Sequence, residues 1–149
     1  MSERPLATMR IENDTISIVE TQLQTGDRKA FIEGTCGETI IGETELITEW
    51  VARTEDKKMV GLGFMSSSGN ETCLTGVLLA PEWRGLGVGR VMTRLMTDLA
   101  IRYRQRVIEV LVDQNDAATA ALLDEEDFDV VPESVIPGVK RFRKELQWQ

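Results

Sequence analysis

The sequence predicts an α/β (α+β) protein, a mixed β-sheet of about six to seven strands with flanking helices. Three observations carry that expectation. Leu46 to Ala80 holds three consecutive strand-like runs joined by short polar turns, Val88 to Tyr103 holds an apolar stripe at helical period, and the apolar run VIEVLV follows it. Short turns make the three strands antiparallel, while a strand that returns after a helix can lie parallel to the one before it.

Taken in order, the first dozen residues are polar and expected to be loose. Thr15 to Gln22, TISIVETQ, alternates and is rich in β-branched residues, the pattern of a strand. Between Thr25 and Thr44, DRKAFIEGTC predicts one short helix from Asp27, in a segment interrupted by Gly34, Gly37 and Gly42. LITEWVAR (46–53), the turn TEDKK and MVGLGFMSS (59–67) make a hairpin. Ser68-Gly69-Asn70 turns the chain into ETCLTGVLLA (71–80), which Pro81 ends because it has no N–H to give a ladder. Val88, Val91, Met92, Leu95, Met96, Leu99 and Tyr103 then share one helical stripe, with Arg90, Thr93, Arg94, Thr97 and Asp98 opposite. VIEVLV (107–112) reads as a buried strand, Asn115 or Asp116 caps an alanine-rich helix to about Glu125, and strands near 128–131 and 138–146 close the pattern. No repeat or linker divides the chain, so a single domain over 1–149 is expected, long enough to bury roughly two thirds of its unfolded surface.

With 17 basic against 25 acidic residues the formal net charge is -8, which weighs against nucleic acid or an anionic membrane as partner and favours a cationic one. Cys36 and Cys73 lie far apart and histidine is absent, so neither a disulfide framework nor the usual zinc ligand sets can be assembled, and no metal is expected. Ser-His-Asp and Cys-His nucleophiles are removed by the same absence. No apolar run approaches the roughly 18 to 20 residues of a membrane span, and the N-terminus shows no signal-peptide apolar region, so the expected address is the cytoplasm. The composition leaves a homodimer open.

The stretch LAPEWRGLGVGRVMTR, Leu79 to Arg94, sets Gly85, Gly87 and Gly89 between a strand and a helix. The first N–H groups of a helix have no partner inside it and carry the positive end of its dipole, so the junction attracts phosphate, and glycines let a ligand approach the backbone. The bland alternative is a glycine-rich helix start with no ligand. The spacing from Arg84 to Gly89 is R-x-x-G-x-G; the dinucleotide motif would need glycine at position 90, which is Arg90, and the P-loop spacing is absent.

R-x-x-G-x-G after a strand that ends in Pro, within VLLAPEWRGLGVGRVM, resembles the coenzyme A loop of the GCN5-related N-acetyltransferases, the GNAT superfamily. The resemblance is specific over 77–96 and follows the order of elements over about 46–146. It implies a GNAT-like sheet in which strands 71–80 and 107–112 splay apart, and acetyl-CoA as cosubstrate. By position, Val77, Leu78 and Leu79 would offer main-chain groups to pantetheine, and Gly85, Leu86, Gly87, Val88, Gly89 and Arg90 would hold the pyrophosphate. Arg84 opens the loop, and Arg90 adds a cation near phosphate. The implied function is direct acetyl transfer to a primary amine (small amine, polyamine or protein amine). The alternatives are a non-catalytic or weakly catalytic CoA- or acyl-CoA-binding sensor or partner module, and transfer of an acyl group other than acetyl.

Such transfer needs a neutral amine, a stabilised oxyanion and a proton for the departing thiolate. Glu71 is the candidate base, since it begins the strand leading into the loop and resembles in position the glutamate base of the histone-acetylating branch; the other reading is a solvated charge after the Gly69-Asn70 turn. Glu109 is a weaker candidate, two residues before the place where other members carry a carboxylate, here Leu111. Many members carry a Tyr acid in a stretch resembling N-x-x-A-x-x-L-Y-E-x-x-G-F. Here the stretch is NDAATAALLDEEDF, which puts Leu123 at the Tyr position when aligned on Phe128 and Leu122 when aligned on Asn115. The only tyrosine, Tyr103, continues the core stripe. Cys73 shares a strand face with Glu71 and Thr75, either lining the slot or buried as a small hydrophobe. Trp50, Trp83 and Trp148 pack or line an acceptor pocket, and the runs DEED (124–127) and ETE (43–45) read as solvated surface or as an acidic rim that draws in an amine cation.

Overall fold

Turn chemistry and apolar periodicity build nearly the whole sheet. In chain order the elements are β1 (Pro5–Ile11), β2 (Asp14–Glu20), β3 (Leu46–Arg53), β4 (Met59–Ser67), β5 (Thr72–Leu79), α1 (Val88–Arg102), β6 (Val107–Asp113), α2 (Ala117–Glu125), β7 (Asp129–Val131) and β8 (Val139–Glu145). The structure, a computed structural model, describes residues 5–23, 26–28, 30–31, 46–113, 115, 117–132 and 137–146. Among these residues the strands form one eight-stranded mixed sheet in the order β1-β2-β3-β4-β5-β6-β8-β7. Neighbours are antiparallel except β5 and β6, which are parallel as the intervening helix requires.

The strand beyond the expected count is β1. Residues 1–12 are expected to be loose, yet Pro5–Ile11 pair antiparallel with β2 through a turn in which Glu12 takes φ 53°. PLATMRI has little pattern of its own; its partner, β2, supplies the order. Residues 26–28 and 30–31 are helical where the sequence expects a helix from Asp27, and the rest of 25–44 lies outside the described residues.

One face of the sheet packs on α1 and α2. Ile18, Trp50, Met65, Ile108, Val110 and Phe142 are buried there with Met92, Met96 and Leu99 of α1 and Leu123 of α2. Thr93, expected on the polar side of α1, is buried too. The opposite face buries Val19, Val51 and Leu62 against Leu23, Phe31, Met59 and Leu78. No helix among the described residues is long and apolar enough to cross a membrane.

Candidate active site

β5 and β6 run together only from Thr72 opposite Val107 to Thr75 opposite Val110. Beyond that point β5 continues to Leu79 against β4, and β6 continues to Asp113 against β8. Gly76 to Leu79, about 13 Å of strand, therefore line a gap into which part of their main-chain N–H and C=O groups project without a strand partner. The apex is tied by Thr75, whose Oγ1 lies 3.2 Å from the Glu109 carbonyl oxygen and 3.2 Å from Met96 Sδ.

At its far end β5 runs into a turn that the sequence shapes residue by residue. Pro81–Trp83 form a single 3-10 turn, in which the Trp83 N–H donates to Ala80 O at 2.9 Å. Arg84 folds back so that its Nε donates to Leu79 O at 3.2 Å, fastening the turn to the strand it leaves. Gly85 and Gly87 then take φ of 77° and 95°, in the left-handed region that penalises a Cβ. A Cβ on Gly85 would have nothing within 4 Å, and Leu86 beside it is exposed, so this stretch of backbone is open to approach. Gly87 is the N-cap of α1, with no side chain capping it, which leaves the first helical N–H groups to other partners.

Gly89 has a different cause: its Cβ would lie 3.0 Å from Leu79 Cδ1, so glycine there lets α1 lie down on the end of β5. Val77, Leu78 and Leu79 thus stand beside the turn from Arg84 to Arg90, and the structure brings together the residues expected around the donor. Arg90 is engaged by α2, its Nη1 donating to Glu125 Oε2 at 2.6 Å.

The structure does not bring Glu71 to that place. It precedes β5 at the end where β5 and β6 are paired, about 17 Å of strand from Gly76. Its side chain is 51% exposed and accepts from Arg106 Nε at 2.5 Å, while its carbonyl accepts the Arg106 N–H at 2.6 Å. Glu109 is nearer. It sits on β6 one residue before pairing with β5 ends, on the sheet face away from α1, and its carboxylate accepts from Arg141 of β8.

The other candidates resolve as packing. Leu123 is 1% exposed in the core and Leu122 lies 4.0 Å from a Cβ built on Gly89, so no proton donor stands at either place. Tyr103 is at the opposite end of the 15-residue α1, about 22 Å from the turn, with its hydroxyl donating to Glu20. Cys73 is buried, and burial pushes its thiol up to about 12, which removes the thiolate a nucleophile needs. Trp50 is fully buried, its ring laid on Gly63; Trp83 is half-buried beside the core. Trp148 and the ETE run lie outside the described residues.

A cleft of about 320 Å³ opens between residues 20–22 and 46–49. It lies at the end of the sheet that holds Glu71, away from the gap, and its carboxylates are occupied. Glu20 accepts from Thr48, Tyr103 and Arg102, and Glu49 from Arg28 and the Leu23 N–H. The cleft is therefore a structural network, and the chemistry points to the gap.

A model of the acetyltransferase (GNAT) family matches residues 14–125. The comparison with curated protein sequences gives no match. Among solved structures, the GNAT domain of S. lividans PAT superposes with a TM-score of 0.73 at 11% identity, covering 97% of this chain and 97% of that one. A chimera of the spermidine N-acetyltransferase SpeG from Vibrio cholerae and hSSAT gives 0.67 at 18% identity, over 86% of this chain and 95% of that one. YncA of Salmonella typhimurium, solved with its cofactor acetyl-CoA, gives 0.60 at 19% identity, over 85% and 76%. Their fold is the fold of this chain.

Proposed function

The chain belongs to the acetyltransferase (GNAT) family, and from that membership we propose that it is an acetyl-CoA-dependent N-acetyltransferase, transferring acetyl directly to a primary amine in the gap between β5 and β6. The observation that carries the reading is the junction at the end of β5: a strand edge without a partner leads into an uncapped glycine turn, open at Gly85, at the start of α1. Helix-start N–H groups and the positive end of the dipole suit a pyrophosphate, and the main-chain groups of β5 that project into the gap without a strand partner suit the amides of a pantetheine arm. Main-chain N–H groups at the gap suit the oxyanion that forms when an amine attacks a thioester. The net charge of -8 favours a cationic acceptor, whether a small amine, a polyamine or a protein amine.

For the base, position favours Glu109 over Glu71, acting directly or through water. Its carboxylate has lone pairs beyond those that Arg141 takes. The proton for the thiolate comes from solvent, since leucines stand where a tyrosine acid would be expected. Those leucines also favour a second reading, a CoA-binding sensor with little or no turnover.

Thermal shift with CoA tests both readings together: a rise in Tm at millimolar CoA is expected, and its absence would sink the donor assignment. Release of free thiol from acetyl-CoA over a panel of primary amines separates them, because a sensor binds without release. Glu109→Gln is expected to lower kcat by at least about 100-fold with little change in the Kd for CoA, and Glu71→Gln to leave both near wild type. The opposite result returns the base to Glu71.

A further inference from the structure

Arg90 is the third residue of α1, three positions after the uncapped Gly87, and its guanidinium is held by Glu125, the last residue of α2, at 2.6 Å. Two further contacts show that α2 is docked here by more than this pair. Leu122 stands 4.0 Å from the Cβ position of Gly89, and Arg94 donates to Glu126 at 2.9 Å one turn further along α1. With Leu123 buried beneath, α2 keeps its place whether or not Arg90 holds Glu125. Arg90 can therefore change partners without moving a helix. Both side chains of its pair are about half exposed, at 46% and 53%, so the pair is weak enough to exchange.

We infer that Glu125 sets the affinity for the donor by competing with its phosphate groups for Arg90, an inference that rests on the CoA-binding reading above. A phosphate at the start of α1 offers Arg90 a more highly charged partner than one carboxylate. When Arg90 turns to it, Glu125 is left without its cation beside the phosphates, in a protein already at -8. Both effects oppose binding, and both act on product CoA as on acetyl-CoA, because the phosphates are common to the two. Glu125 thus holds donor affinity down and speeds product release.

Calorimetric titration with CoA tests this on the full chain. Glu125→Gln is expected to lower Kd by about two- to fivefold, the range an exposed ion pair allows. Arg90→Gln raises Kd, and adding Glu125→Gln to Arg90→Gln tightens binding less than it does in the wild type, because only the charge of Glu125 is then removed and not its competition for Arg90. Glu126→Gln, which frees Arg94 instead, leaves Kd unchanged. Absence of tightening in Glu125→Gln overturns the inference, and so does equal tightening in the Arg90→Gln background, where Glu125 would be acting by charge alone. Failure of the wild type to bind CoA at millimolar concentration is a separate result that removes the donor reading itself.

Discussion

Tyr103 ends α1 with its hydroxyl donating to Glu20, whose carboxylate also takes Thr48 Oγ1 at 2.5 Å and Arg102 Nη1 at 3.0 Å. The bond to Glu20, helped by burial, raises the phenol above its ordinary value near 10. As the chain has one tyrosine, its ionisation can be read alone, from tyrosinate absorbance. The native protein is expected to ionise at higher pH than the urea-unfolded chain, and Glu20→Gln is expected to narrow the difference, with the part due to burial remaining. Because the folded state favours the neutral phenol, the stabilisation is full below the unfolded value and fades as pH rises through the folded one. The periodicity placed Tyr103 on the core stripe, but no local signal names Glu20 as its partner. Glycines divide in the same way. Gly85 and Gly87 are legible as turn formers from their spacing, while Gly89 is explained by Leu79, which only the docked helix reveals.

At the scale of elements, β3, β4 and β5 fall where their patterns predict because each is bounded by its own turn chemistry. The pairing adds what the pattern lacks. Trp50 stands opposite Gly63 and Phe64 opposite Gly76, so each large ring is laid on a residue with no side chain. A Cβ on Gly63 would meet Trp50 Cε2 at 2.0 Å. Gly63→Ala is therefore expected to destabilise the protein by about 1–3 kcal/mol, measured as a fall in urea midpoint, by forcing the buried indole aside. The gap between β5 and β6 is an element-scale feature too. From residues alone the divergence follows only by resemblance, since nothing in VLLA or VLVD states that two strands separate after Thr75 and Val110. Their outer partners decide it, as β4 and β8 hold each strand along the divergent stretch.

Over the whole molecule, Leu23 and Arg28, beyond the end of β2, are tied to β3 by one buried carboxylate. Glu49 is 1% exposed and accepts from Arg28 Nε at 2.5 Å, Arg28 Nη2 at 2.6 Å and the Leu23 N–H at 3.1 Å. Read along LITEWVAR it is an ordinary outward charge; in the fold it is enclosed and costly to leave without its cation. Arg28→Ala is expected to lose about 3 kcal/mol, seen as a lower urea midpoint at unchanged slope, because it strands that carboxylate. The sequence by itself determined the kind and order of the elements from Leu46 onward and the glycine turn that joins strand to helix at Arg84–Arg90. These follow from near neighbours: period, turn residues, a proline stop and glycine spacing. Only the tertiary structure decided which charges meet. Arg28 with Glu49, Arg141 with Glu109, Arg106 with Glu71 and Arg90 with Glu125 join residues separated by 21, 32, 35 and 35 positions. Such pairs are set by where packing leaves the tips of long side chains, so they leave no mark in the local pattern.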